Sequence, residues 1–164
     1  MLSKKIEILE EAISSITAMI ENTKDAAQDS QTEANYHKGA MQSRYDTFKE
    51  EAQYMVAASR ERLSALKTFL YETSRLADGL RKNDDNIDHI DLGKCFCVKT
   101  RDSVEKGFFV VPFAHTRSCT IGGREFYLIS DNSPVFHIFR GLRVGDYAEC
   151  ENEMYEDSEV VEIF

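Results

Sequence analysis

The stretch SPVFHIFRGLRVGD, residues 133–146, is punctuated at both ends. Ser133 suits the position that caps a helix by accepting a bond from a free backbone N–H. Pro134 suits the first helical residue, where no N–H is needed, and Gly141 suits the left-handed residue just past the end. A short helix over 133–140 follows from this. Gly145-Asp146 then makes a tight turn into YAECE, where Tyr147, Glu149 and Glu151 alternate with Ala148 and Cys150 as in a strand with one wet face.

Upstream and downstream of this helix the pattern is that of a sheet. GKCFCVKT, KGFFVVPF, REFYLIS, DYAECE and SEVVEIF read as strands, and Gly122-Gly123 as a two-residue hairpin turn. The capped helix is expected to lie across that sheet. Residues 92–164 thus form a small α+β domain, large enough for one modest core. Before it, KNDDNIDHID, residues 82–91, reads as a charged linker, and a cut there is expected to leave a C-terminal fragment that folds.

Residues 1–81 obey another grammar, with no proline and only Gly39 and Gly79. Ile6, Leu9, Ile13, Ile16 and Ile20 recur at steps of three and four, continuing through Thr23, Ala27, Ser30 and Ala34. Val56, Ser59, Leu63, Leu66, Leu70, Thr73, Ala77 and Leu80 keep the same rhythm. Folded back antiparallel, large residues face large and small face small, which predicts an intramolecular helical hairpin and a monomer. Arms of about thirty residues give a rod of roughly 45 Å. Its tip falls in YHKGAMQSRYDT, residues 36–47, and Thr47-Phe48-Lys49-Glu50 has the capping-box pattern that would start the second helix.

Composition narrows the function classes. A formal net charge of −9 disfavours bare nucleic acid as the main ligand. No apolar run is long enough for a membrane span, and the acidic N-terminus lacks a signal-peptide core, so a cytoplasmic protein is expected. Cys95 and Cys97 form C-x-C on a strand, facing one way, while Cys119 and Cys150 stand alone; packed thiols fit this spacing better than a metal or redox site. His37, His89, His115 and His137 are scattered.

Ser133-Pro134, Gly141, Gly145 and Asp146 reproduce the S-P-x6-G-x3-G-D spacing of the C-terminal domain of Gre-type transcription elongation factors, and the chain resembles that family over its whole length. EEAQYMVAA, residues 50–58, is similar to the run that opens the second arm of the Gre hairpin, and KGAMQSRYDT, residues 38–47, to the tip of divergent Gre-like proteins. The resemblance implies an FKBP-like C-terminal domain that docks, through the signature region, at the rim of the secondary channel of bacterial RNA polymerase. The hairpin would then reach toward the active site, meeting nascent RNA only indirectly.

In cleavage-stimulating members, acidic tip residues help hold a second Mg²⁺ shared with polymerase. Asp46 and Glu50 are the residues to which the resemblance assigns that catalytic and metal-holding role here. One alignment puts Glu50 at an acidic tip position and Thr47 where the aspartate belongs; the other matches Asp46 to the glutamate and leaves Ser43 at the aspartate position. The expectation is an accessory factor rather than an enzyme in its own right. The alternatives are a Gre-fold regulator that does not stimulate cleavage, an FKBP-like prolyl isomerase or chaperone, which the absence of Trp disfavours, and a plain coiled-coil scaffold. Arg60, Arg62, Lys67 and Arg75 read as a solvated face, Phe108, Phe109 and Phe113 as sheet core, and Tyr36 and Tyr45 as aromatics flanking the tip.

Overall fold

The structure, a computed structural model, describes residues 1–36, 45–82 and 88–164; the side chains of 33–36, 45–49 and 52 lie outside the described residues. Two long helices, α1 (Leu2–Tyr36) and α2 (Tyr45–Arg81), form the N-terminal helical hairpin. They are followed by β1 (Cys95–Lys99), β2 (Glu105–Val111), β3 (Ser118–Ile121), β4 (Arg124–Ser130), α3 (Pro134–Phe139) and β5 (Glu159–Ile163). Contacts group the chain into two units, Met1–Ile13 with Glu72–Phe164, and Ser14–Tyr71.

In the first unit the strands form one mixed sheet in the order β3-β4-β2-β1-β5. β2 and β4 are parallel because the chain leaves β2, passes to the outer edge as β3, and turns back as β4; every other pair is antiparallel. The return turn is Gly122-Gly123, with φ of 59° and 82°, the positive angles a two-residue hairpin needs. Ser118–Ile121 was not named as a strand from the sequence. Its Ser, Cys and Thr carry little hydrophobic signal, and it exists by pairing with β4.

Both faces of the sheet are buried. Along β1, Cys95 and Cys97 face one core with Phe109, Val111, Ile121, Phe126 and Leu128, while Phe96 and Val98 face the other with Phe108, Val110 and Val160. The first core is completed by Ile8, Leu9, Ala77 and Leu80 from the base of the hairpin. The second is completed by Phe136 and Phe139 of α3, together with Ile90, Ala148 and Tyr155. Each fully buried Phe or Leu of this kind stabilises the fold by about 1.5–3 kcal/mol. The base of the hairpin is thus one of the two layers on the sheet. Within the stretch 82–91, residues 83–87 lie outside the described residues, and Ile90 is fully buried.

In the second unit the expected seam is present. Ile16, Ile20, Thr23 and Leu66 are buried, and Ala27, Ser30, Val56, Ser59, Leu63 and Leu70 are half-buried. Two of its seam hydroxyls bond to their own helix, Thr23 to the carbonyl of Met19 at 2.7 Å and Ser30 to that of Ala26 at 3.0 Å, which lets these small polar residues sit in the seam.

Two local expectations are corrected. DYAECE is not a regular strand. Tyr147 bridges Glu159 and the Ala148 N–H donates to Ser158, but the pairing ends at once because Asn152 turns the chain, its carbonyl accepting from Tyr155 and Glu156. The side-chain alternation survives nonetheless, with Ala148 buried and Tyr147, Glu149 and Glu151 exposed. Thr47 is not an N-cap either: α2 begins two residues earlier, so Thr47 stands inside its first turn and the capping-box role of Glu50 falls away.

Candidate functional site

The signature stretch folds as a helix followed by a closed turn. Ser133 has the extended backbone of an N-cap, φ −68° and ψ 134°, but its hydroxyl makes no capping bond. The His137 N–H donates to the Ser133 carbonyl, which is the first bond of the helix itself, and Pro134 at the start removes one N–H that would need a partner. Gly141, at φ 82°, turns the chain away from the helix so that its N–H reaches the carbonyl of Ile90 while the Ile90 N–H reaches that of Leu142. Gly145, at φ 91°, donates to Val160, and the Asp146 carboxylate accepts the Arg143 N–H at 2.8 Å.

Open space surrounds the Cα of Gly141 and Gly145, so these glycines serve backbone angle rather than close packing. The signature residues therefore act as turn-formers. What they present outward is the exposed set Arg140, Arg143, Val144 and Tyr147, with Val144 58% and Tyr147 56% exposed. The Arg140 guanidinium lies 5.7 Å from the Phe136 ring centroid, and an Arg143 nitrogen lies 3.5 Å from Asp88. An Arg–Tyr surface of this kind is the composition enriched at protein interfaces. Sequence reading passed over it by attending to the spaced residues rather than to those between them.

Of the tip candidates, positions 46 and 50 both fall on α2, one helical turn apart, and Glu50 is exposed. The side chains of Asp46, Tyr36 and Tyr45 lie outside the described residues, as do Ser43 and His37 entirely. An exposed carboxylate is the hard oxygen donor that Mg²⁺ prefers, so the donor chemistry of Glu50 fits that ion. Among the described residues no group of three or more His, Cys, Asp or Glu could hold a metal by itself.

The other candidates have structural places. Phe108 and Phe109 are buried on opposite faces of the sheet, Phe113 is half-buried, and His137 is exposed on α3. Arg60, Arg62, Lys67 and Arg75 are exposed on α2. Cys95 and Cys97 share a face, as their spacing requires. Burial pushes the Cys97 thiol up, with a hydrogen bond from Arg124 pulling the other way, and burial pushes Cys119 up to about 11. Both are protonated at neutral pH and poor nucleophiles. No helix of the described residues is long and apolar enough to cross a membrane.

No family model matches the chain. No curated protein matches it either. Among solved structures it is similar to GreA factor homolog 1 (Gfh1) of Thermus thermophilus, at 18% identity and a TM-score of 0.36, over 93% of this chain and 94% of that one. A structure of the transcription factor Gfh1, at 18% identity, and Gfh1 of Thermus aquaticus, at 17%, each align over 92% of both chains with a TM-score of 0.36. Likeness at this depth stands as an observation, and the fold described above rests on this chain's own helices and strands.

Proposed function

We propose that this protein is a Gre-like accessory factor of bacterial RNA polymerase, acting in the cytoplasm, with its sheet domain docked at the rim of the secondary channel and its helical hairpin directed inward. One observation carries it. The S-P-x6-G-x3-G-D stretch, which resembles the Gre signature, folds as a short proline-started helix and closed turn on one face of a sheet whose other face is covered by the base of an N-terminal helical hairpin. The docking surface is the exposed set Arg140, Arg143, Val144 and Tyr147 that this turn presents.

Asp46 and Glu50 are the proposed tip carboxylates. Mg²⁺ shared with polymerase would supply charge neutralisation at the scissile phosphate and orientation of the attacking water. The chain's own part is to bring one helical turn of carboxylate oxygen to that ion. Freed from a capping role by the earlier start of α2, Glu50 is available for it. A second version, in which the factor occupies the channel without stimulating cleavage, is favoured by Thr47 standing where one alignment expects an aspartate. Prolyl isomerisation is disfavoured because the aromatic residues of the second core fill one another, with Phe96 5.6 Å from Phe139 and Phe139 5.6 Å from Tyr155, centroid to centroid.

A purified, backtracked elongation complex separates the two versions. Wild-type protein is expected to shorten the RNA, and the double variant Asp46→Asn, Glu50→Gln is expected to bind polymerase and leave the RNA intact. Cleavage undiminished in the double variant would remove the metal role. Wild-type protein that binds without cleaving would establish the occluding version.

A further inference from the structure

Lys5 sits in the first turns of α1 and is only 3% exposed. Its ammonium donates to a main-chain oxygen of Phe164 at 2.7 Å and to the Gly93 carbonyl at 3.2 Å, and lies 6.0 Å from the Phe109 ring centroid. Gly93 is pinned from the other helix as well. Its φ is +85°, and an added Cβ would lie 2.7 Å from Cδ1 of Leu76 in α2. The same Phe164 oxygen accepts the N–H of Cys95, which starts β1. One short junction, residues 93–95, is therefore gripped by α1 through a buried cation and by α2 through a side chain with no room to spare.

A buried ammonium is an expensive way to fill that space, and a cation at a helix start also opposes the helix dipole. The apolar contacts of Ile8, Leu9, Ala77 and Leu80 hold the helices to the sheet without fixing a direction, since burial of apolar area is non-directional. Hydrogen bonds to two main-chain oxygens that the sheet holds in place do fix one. We propose that Lys5 is a positioning residue: it sets the register in which the base of the hairpin sits on the sheet, more than it stabilises the fold. The consequence for polymerase rests on the function proposed above; the register itself does not.

The test uses the full chain with Lys5→Met, which keeps length and apolar stem, and Lys5→Arg, which keeps cation and donors. Lys5→Met is expected to remain folded and to unfold cooperatively, yet to exchange the amides of residues 6–12 about tenfold faster, with Lys5→Arg recovering most of the protection. Exchange in Lys5→Met equal to wild type would overturn the proposal. So would a Lys5→Met protein that unfolds outright while Lys5→Arg is stable, because Lys5 would then be a stability residue. On polymerase, Lys5→Met is expected to compete for binding within about twofold of wild type while its hairpin-dependent effect falls about tenfold. A wild-type protein that fails to bind polymerase would sink the functional reading and leave the exchange result standing.

Discussion

The same two helices are built differently in their two parts. At residues 1–13 and 72–81 they bury more than one stripe: Lys5, Ile8, Leu9 and Ala12 on α1, and Thr73, Ala77 and Leu80 on α2, with Ile6, Ile13 and Leu76 half-buried beside them. Between residues 14 and 71 they bury a single stripe of Ile16, Ile20, Thr23 and Leu66, thinning to half-buried alanine and serine. A helix with two buried stripes is sandwiched and fixed by its neighbours; one with a single seam holds only its partner helix. The base is a layer of the sheet domain, and the remainder is a paired helix whose outer surface is left to solvent and partners.

The largest effect should come from removing the base. The charged stretch 82–91 predicts a C-terminal fragment that folds alone, but a fragment of residues 92–164 loses Ile8, Leu9, Ala77 and Leu80 from its core and exposes Phe109, Phe126 and Leu128, so it should instead show no cooperative unfolding by circular dichroism. Cooperative unfolding of that fragment would make the helices and the sheet independent and break the comparison. Next come single truncations. Leu9→Ala, in the base, should cost about 3 kcal/mol in urea denaturation, and Leu63→Ala, half-buried in the second unit, about half of that or less. Equal costs would mean that the single seam packs as densely as the sandwiched base.

A smaller effect is expected from pH. Burial raises the Cys119 thiol from 9.0 to about 11 in the folded protein. Its pKa is raised on folding, so its stabilising contribution is whole below pH 9 and is lost as pH rises through 11. The urea midpoint of wild type minus that of Cys119→Ala should therefore shrink between pH 9 and pH 11; a difference flat over that window would refute the assignment. Smallest of all, Asp46→Asn with Glu50→Gln should change stability by no more than about 0.5 kcal/mol, since Glu50 is exposed and Thr47 is no cap.

Much of this was legible in the sequence because periodicity reports burial directly. The seam residues from Ile6 to Ser30 and from Val56 to Leu80 are all buried or half-buried, and Gly122, Gly141 and Gly145 all take the positive φ expected of them. What escaped was tertiary. Ile8 lies off the expected seam, and the sheet packed against the second side of α1 explains its burial. Lys5 gives no local sign of being buried, because its partners lie 88 and 159 residues away in sequence. The strand Ser118–Ile121 is held by pairing rather than by composition, and DYAECE shows that alternation alone does not make a strand. At the signature, spacing identified the turn-formers, while the exposed side chains they display became visible only once the turn was folded.

The most direct test of the account is competition for core RNA polymerase. Labelled protein is bound to the purified enzyme, and an established secondary-channel factor is titrated in, with Arg143→Glu, Tyr147→Ala as the docking control. The account predicts mutual exclusion, with the labelled protein fully displaced at saturating competitor, and at least tenfold weaker binding by the docking variant. Simultaneous, independent binding of the two factors, or no binding by the wild-type protein, would contradict it.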